Sequence, residues 1–305
     1  MKKEICIIGL GKMGGGLALN MKDHGWRVVG YNRTPTVTEE YVKEGIEGIY
    51  DLKELVTKLE KPRIVWLMLT AGKPVEETLF GESGLINILE EGDIVIEGGN
   101  SFFKDDAKNA ERLNEKGIKY IDVGVSGGPG GARNGACCMI GGDKEIFEYL
   151  EELFKDISKP NASKFFPGSG AGHFVKMVHN GIEYGMMQAI GEGFNVLKKS
   201  DYNLNLDDVV DIYNNGSVIE SRLINWLKMG YEKYGQNLDE ISGSIAHSGE
   251  GMWTVQTAKE MGEEVPIIEG SLNYRIESQK NPNYIGKVVS VLRNMFGQHD
   301  VAVKK

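Results

Sequence analysis

The chain has 305 residues, which at roughly 150 residues per domain suggests about two domains. Its hydrophobic share of 41% and charged share of 26% are those of an ordinary globular protein, so disorder is excluded, and no apolar run is long enough to cross a membrane. The net charge of −9 argues against a general nucleic-acid binder while leaving room for a small basic pocket.

The first half alternates strand-like and helix-like segments. Ile5 to Ile8 is an apolar run, followed by Gly9-Leu10-Gly11 and a helical stretch. Strand candidates follow at Arg27 to Tyr31, Ile64 to Leu69, Asp93 to Ile96 and Tyr120 to Val123. Between them Thr38 to Glu44, Leu52 to Leu59 and Asp105 to Lys116 read as helices. Apolar runs without alternation suit strands buried on both faces of a parallel sheet. Past about residue 170 the strands stop, and helical patterns cover Gly172 to Lys199, Asp207 to Tyr213, Ser221 to Tyr234, Thr254 to Met261, Val265 to Gln279 and Asn283 to Phe296. The expected fold is an α/β Rossmann-like doubly wound domain over residues 1–168, then an all-α domain over 169–305 for substrate binding and dimerisation. The stretch from Gly172 is long enough to bridge the two. Met1-Lys2-Lys3-Glu4 runs straight into the first strand, with no leader expected. Three cysteines form neither a disulfide framework nor a zinc spacing, which points to a reducing, cytoplasmic setting.

Gly9-Leu10-Gly11-Lys12-Met13-Gly14 is G-x-G-x-x-G between a strand and a helix, the context in which the backbone approaches a pyrophosphate. Gly9, Leu10, Gly11, Met13 and Gly14 are therefore cofactor candidates. At the end of the second strand the chain reads Asn32-Arg33-Thr34, with no acid to hold a ribose diol. Arg33 and Thr34 can bind a 2′-phosphate, so NADP is expected, with NAD possible as a second cofactor. Ser126-Gly127-Gly128 follows the fifth strand and offers a hydroxyl and bare N–H groups to an anion, although an ordinary loop reads the same way.

The segment Gly172 to Tyr184 is richer. At roughly 100° per residue, Lys176, Asn180 and Glu183 fall on one helix face, with His179 about 60° to the side. A solvated Lys–Glu face is the plain alternative, but Val175, Met177, Val178 and Ile182 imply a helix buried on much of its surface. A desolvated lysine beside a cofactor can act as a base, so alcohol oxidation is the implied chemistry. The five histidines form no metal-ligand spacing, so no metal is expected.

These residues resemble 6-phosphogluconate dehydrogenase, the decarboxylating family within the β-hydroxyacid dehydrogenases. The resemblance runs from the first strand to the C-terminus. It is carried by the Gly9–Gly14 loop, Asn32-Arg33-Thr34, Gly98-Gly99-Asn100-Ser101, Ser126-Gly127-Gly128 with Gly131-Ala132-Arg133, and above all Gly170 to Tyr184. It implies that Lys176 takes the C3 hydroxyl proton, that Glu183 later protonates C1 of an enediol, and that ribulose 5-phosphate and carbon dioxide result. Asn180, Asn100, Ser126, Gly127, Gly128 and His179 would orient the substrate, and Tyr184 and Arg275 would hold its phosphate. Leu69, Thr70, Ala71 and Asn100 would line the cofactor. Arg293 and His299, in Arg293-Asn294-Met295-Phe296-Gly297-Gln298-His299, would arrive from the partner subunit of a homodimer. The chain departs from the commonest form by lacking a duplicated helical half. Ser248 and Glu250 stand where the longer branch has phosphate-binding Lys and Thr, and Thr70 replaces a lysine. The remaining alternatives are a dehydrogenase of another small β-hydroxyacid and a non-catalytic dinucleotide-binding protein.

Overall fold

The computed structural model describes residues 2–246 and 249–298. Its elements in chain order are β1 (Glu4–Ile8), α1 (Lys12–Asp23), β2 (Arg27–Tyr31), α2 (Pro35–Lys43), β3 (Glu47–Gly48), α3 (Leu55–Lys58), β4 (Ile64–Leu67), α4 (Lys73–Phe80), β5 (Ile94–Glu97), α5 (Phe103–Asn114), β6 (Lys119–Ser126), α6 (Gly128–Asn134), β7 (Ala136–Gly142), α7 (Lys144–Ile157) and β8 (Ser158–Pro167). Then come only helices: α8 (Ala171–Lys198), α9 (Leu206–Tyr213), α10 (Arg222–Tyr234), α11 (Glu250–Met261), α12 (Pro266–Ser278) and α13 (Tyr284–Gly297). The chain divides into two compact units, Met1–Met177 and Val178–Lys305, and the division falls inside α8.

The first unit holds one eight-stranded sheet in the order β3-β2-β1-β4-β5-β6-β7-β8. All neighbours pair in parallel except β6 with β7. The unbroken apolar runs follow from burial on both faces. Ile5, Ile7, Ile64, Trp66, Ile94 and Ile96 enter one hydrophobic cluster, while Cys6, Ile8, Val65, Leu67 and Val95 enter the cluster on the opposite face. Because successive side chains alternate sides, each strand feeds both cores, and each fully buried Ile or Leu contributes about 1.5–3 kcal/mol. Helix α7 shows the matching one-sided pattern: Ile146, Leu150, Leu153, Phe154 and Ile157 are buried, and the Asp143 carboxylate accepts from the Glu145 N–H to start it.

The order reverses at β1, whose two neighbours are β2 and β4. The loops following β1, β2, β4, β5 and β6 all leave the carboxyl edge of the parallel set, where open α/β sheets place their ligands.

The second unit is helical among its described residues. Its core joins Tyr184, Met187 and Phe194 from α8 to Leu223, Ile224, Leu227 and Tyr231 of α10 and Val288, Val289, Val291 and Leu292 of α13. Ser221 caps α10 at the Ile224 N–H, and Asn283 caps α13 at the Gly286 N–H. A Cβ on Gly230 would overlap Val291, so α10 and α13 meet at a bare backbone position. No helix among the described residues is long and apolar enough to cross a membrane.

Candidate active site

The Gly9–Gly14 loop has the geometry a dinucleotide needs. Gly9 turns at φ 98°, and a side chain there would strike the Met68 carbonyl at the end of β4. A Cβ on Gly14 would collide with the Gly9 carbonyl, so α1 can approach the strand only through glycine. Gly11, by contrast, faces open space, which leaves room for a pyrophosphate against its backbone. Gly11 also caps α1 with no side-chain hydrogen bond and no acidic residue in the first turn, so the positive helix end is not neutralised from within. These residues fit a bound NAD(P).

Asn32 is tied into the loop itself. Its Oδ1 accepts from the Leu10 N–H at 3.1 Å, and its own N–H donates to Thr38 Oγ1 at 3.0 Å. It ties the glycine loop to β2, while the neighbouring Arg33 and Thr34 stay exposed at the same edge. Leu69, Thr70 and Ala71 occupy the loop after β4, and Asn100 is exposed in the loop after β5.

Ser126-Gly127-Gly128 differs from the loop reading. β6 continues through Ser126, and α6 begins at once, with Gly127 at φ 118° as its left-handed N-cap. Asn20 on α1 donates from Nδ2 to the carbonyls of Ala132 and Ile157, which fixes this strand-to-helix turn against the glycine-loop helix.

Lys176 lies in the first unit, 8% exposed on α8. It packs over β6, where a Cβ on Gly124 would overlap the Lys176 Cβ. The start of α8 is set by Asp122, whose carboxylate accepts from the Gly170 N–H at 2.6 Å and the His173 N–H at 2.8 Å. His173, which no local sequence pattern singles out, is 1% exposed. Its Nδ1 lies 2.8 Å from Asp106 Oδ2 and its Nε2 3.1 Å from the Gly99 carbonyl. Tyr120 donates to the other Asp106 oxygen at 2.7 Å, and Glu97 Oε1 accepts from the Gly99 N–H at 3.0 Å. Burial opposes charge on His173, but the carboxylate of Asp106, then those of Glu97 and Asp122, raise its pKa to about 10. Burial pushes Glu97 up to about 7 and Asp122 up to about 6. Glu97, Asp106 and His173 bring donor atoms within 4.8 Å of one another, but both imidazole nitrogens are already committed to Asp106 and Gly99, so a metal ion does not fit there.

In the second unit α8 continues with His179, Asn180, Glu183 and Tyr184. Asn180 is 6% exposed, and its Oδ1 lies 2.8 Å from His179 Nδ1. Tyr184 is buried, and the Arg275 guanidinium stacks on its ring, Cζ 3.3 Å from the centroid. Arg275 is 1% exposed. Its Nε and Nη2 have no hydrogen-bond partner among the described residues. Burial, helped by the nearby Arg293, lowers its pKa to about 10 against the opposing pull of Tyr184, Glu183 and Glu250. Burial also lowers the pKa of Arg293. The resemblance implied Arg293 from a partner subunit. In this chain its helix α13 is a core helix of the same unit, and Arg293 lies within electrostatic reach of its own chain's Arg275 and Tyr184. Glu250, the first residue of α11, is buried and neutralises part of the charge of this arginine pair. His299 and Ser248 lie outside the described residues.

A glycine-loop dinucleotide fold, a buried lysine on the helix that follows it and a helical unit with buried arginines define an NAD(P)-binding oxidoreductase of the two-domain kind. The sequence profile of the NAD-binding domain of 6-phosphogluconate dehydrogenase matches residues 4–170, and that of the C-terminal domain of 6-phosphogluconate dehydrogenase matches residues 172–295. The chain belongs to the 6-phosphogluconate dehydrogenase family. It is 43% identical, over 97% of its length and 98% of the relative's, to a Bacillus subtilis protein provisionally named 6-phosphogluconate dehydrogenase YqeC. It is 35% identical, over 99% of both chains, to the NAD(+)-dependent, decarboxylating 6-phosphogluconate dehydrogenase of Haloferax volcanii. A solved Plasmodium falciparum 6-phosphogluconate dehydrogenase, studied with NADP+ and with 6-phosphogluconate, superposes at a TM-score of 0.80 with 33% identity, over 91% of this chain and 62% of that one. The family resemblance read in the sequence therefore holds, including the shorter length.

Proposed function

We propose that the chain catalyses the oxidative decarboxylation of 6-phosphogluconate to ribulose 5-phosphate and carbon dioxide, with NADP preferred over NAD. The observation that carries this reading is Arg275: a buried guanidinium with two nitrogens unpartnered among the described residues calls for an anion. The phosphate of the substrate supplies it, with Arg293 and Tyr184 beside it. When bound, the nicotinamide supplies the acceptor for hydride from C3. Lys176 removes the C3 hydroxyl proton as C3 becomes a ketone. The carbonyl then draws in the electron pair of the breaking C–C bond as carbon dioxide leaves, and protonated Lys176 steadies the enolate oxygen. Glu183 delivers a proton to C1 of the resulting enediol. Asn180, His179, Asn100, Ser126, Gly127 and Gly128 hold the hydroxyls and carboxylate in register.

Arg33 and Thr34, exposed at the end of β2, where the sequence Tyr31-Asn32-Arg33-Thr34 carries no acid, favour a 2′-phosphate. The relatives include NAD(+)-dependent enzymes, so the cofactor ratio is a sharp test of this part. We also propose a homodimer in which the segment beyond α13, His299 included, completes the site, and a reducing cytoplasmic location matching three free cysteines. The test is reduction of NADP and NAD in parallel with 6-phosphogluconate and with unphosphorylated 3-hydroxyisobutyrate. Turnover only of the phosphorylated acid is expected; preference for the unphosphorylated one rejects the phosphate reading.

A further inference from the structure

We propose that His173 is a positioning residue for Lys176: a buried, doubly protonated imidazole that locks the first turn of α8 to the loop after β5. The inference rests on the reading of Lys176 as the base. The Gly99 carbonyl can only accept, so Nε2 carries a proton. Nδ1 faces Asp106 Oδ2, while the other Asp106 oxygen is taken by the Tyr120 hydroxyl. A carboxylate in that setting accepts from Nδ1 as well, so the ring is an imidazolium paired with Asp106. The groups facing it are Asp106 on α5, Tyr120 and Asp122 on β6, and Glu97 at the end of β5, whose Oε2 is 3.5 Å from Nε2.

The consequence is positional. The backbone of His173 is held by Asp122 and its side chain by Asp106 and Gly99, so one residue joins three separate segments to the start of α8. Lys176 follows one turn later, pressed onto Gly124 of β6. Gly99 precedes Asn100 directly. On the opposite side the loop is wedged against Trp66, because a Cβ on Gly98 would overlap the indole. A shift of His173 therefore moves the Lys176 turn and the Asn100 loop together. A buried charged pair adds little stability over apolar packing, but it fixes one arrangement, and here the fixed arrangement carries the base.

The test is His173→Gln, which keeps one donor and removes the charge, with Lys176→Met as control. Folded His173→Gln should lose about tenfold or more in kcat, while the dissociation constant of the reduced cofactor, read by fluorescence, changes less than about twofold. Hydrogen exchange should quicken together at residues 99–101 and 173–177 and stay unchanged in β1. Normal kcat with unchanged exchange overturns the proposal, as does parallel loss of kcat and cofactor binding. Should His173→Gln not fold, Asp106→Asn carries the same readings. An active Lys176→Met would reject the catalytic reading instead, and the exchange result would still decide whether His173 couples the two segments.

Discussion

The two units bury charge in opposite ways. In the first, His173 sits among Asp106, Glu97 and Asp122, with the Gly99 carbonyl on its second ring nitrogen and Tyr120 on the other Asp106 oxygen, and the imidazolium meets a counter-charge inside the protein. In the second, Arg275 and Arg293 are both buried, repel each other, and leave two Arg275 nitrogens without a hydrogen bond among the described residues. Desolvation is costly in both places. A closed network repays it internally and fixes geometry; an open one is repaid only when an anion arrives. On the proposed function, the first kind of residue holds the site and the second binds the anion.

The largest expected effect is at Lys176. Lys176→Met should lower kcat by about a thousandfold while leaving cofactor affinity intact, because general-base catalysis supplies roughly 10²–10⁴ in rate. Stopped-flow traces that still show a burst of reduced nicotinamide would remove Lys176 from the chemical step. Next comes its seat: Gly124→Ala places a methyl on β6 where the Lys176 side chain packs from α8, at a cost of about 1–3 kcal/mol in strain or in displaced catalysis. The expected result is a fall in kcat larger than the fall in melting temperature accounts for, whereas unchanged kinetics would show that the seat of Lys176 on β6 does not matter to the chemistry.

How much of this was legible in the sequence follows from burial and range. β1, β2, β4, β5 and β6 announced themselves because strands covered on both faces are uninterrupted apolar runs. β8 was silent: Ser158–Pro167 is an edge strand with no fully buried residue, and its sequence reads as a loop. β7 carries cysteines and glycines where it faces β6, which hid it equally. Helix α7 is legible, since Ile146, Leu150, Leu153 and Ile157 keep helical spacing, although it lies outside the segments expected above. The face of Lys176, Asn180 and Glu183 followed from spacing alone. The His173 network did not, because its partners lie 67 and 74 residues away in sequence and no local pattern records them.

The closed network should also show in pH. The pKa of His173 is raised from its ordinary 6.5 to about 10, so its stabilising contribution is complete below about pH 6.5 and lost as pH climbs toward 10. Glu97 and Asp122, raised by burial to about 7 and about 6, act in the same direction but in a lower window that is spent by about pH 7, since the folded state holds protons that the unfolded chain releases at lower pH. The melting temperature should therefore decline from pH 6.5 to 9.5, and His173→Gln should flatten that decline. A melting temperature that rises over this range would mean the imidazole is not charged. The smallest effect belongs to the exposed Arg33: Arg33→Glu should shift the NADP-to-NAD ratio of kcat/KM toward NAD by about tenfold, with little change in stability. An unaltered ratio would take the 2′-phosphate away from this loop.

The most direct test of the open charge is Arg275→Met, followed by the KM for 6-phosphogluconate and the melting temperature together. Loss of a charge-assisted contact worth about 1.5–3 kcal/mol should raise KM roughly 10- to 150-fold. Because the guanidinium is buried without full compensation, the melting temperature should hold or rise. A marked drop in melting temperature with an unchanged KM would contradict the account, since Arg275 would then be holding the helical unit together and not the substrate.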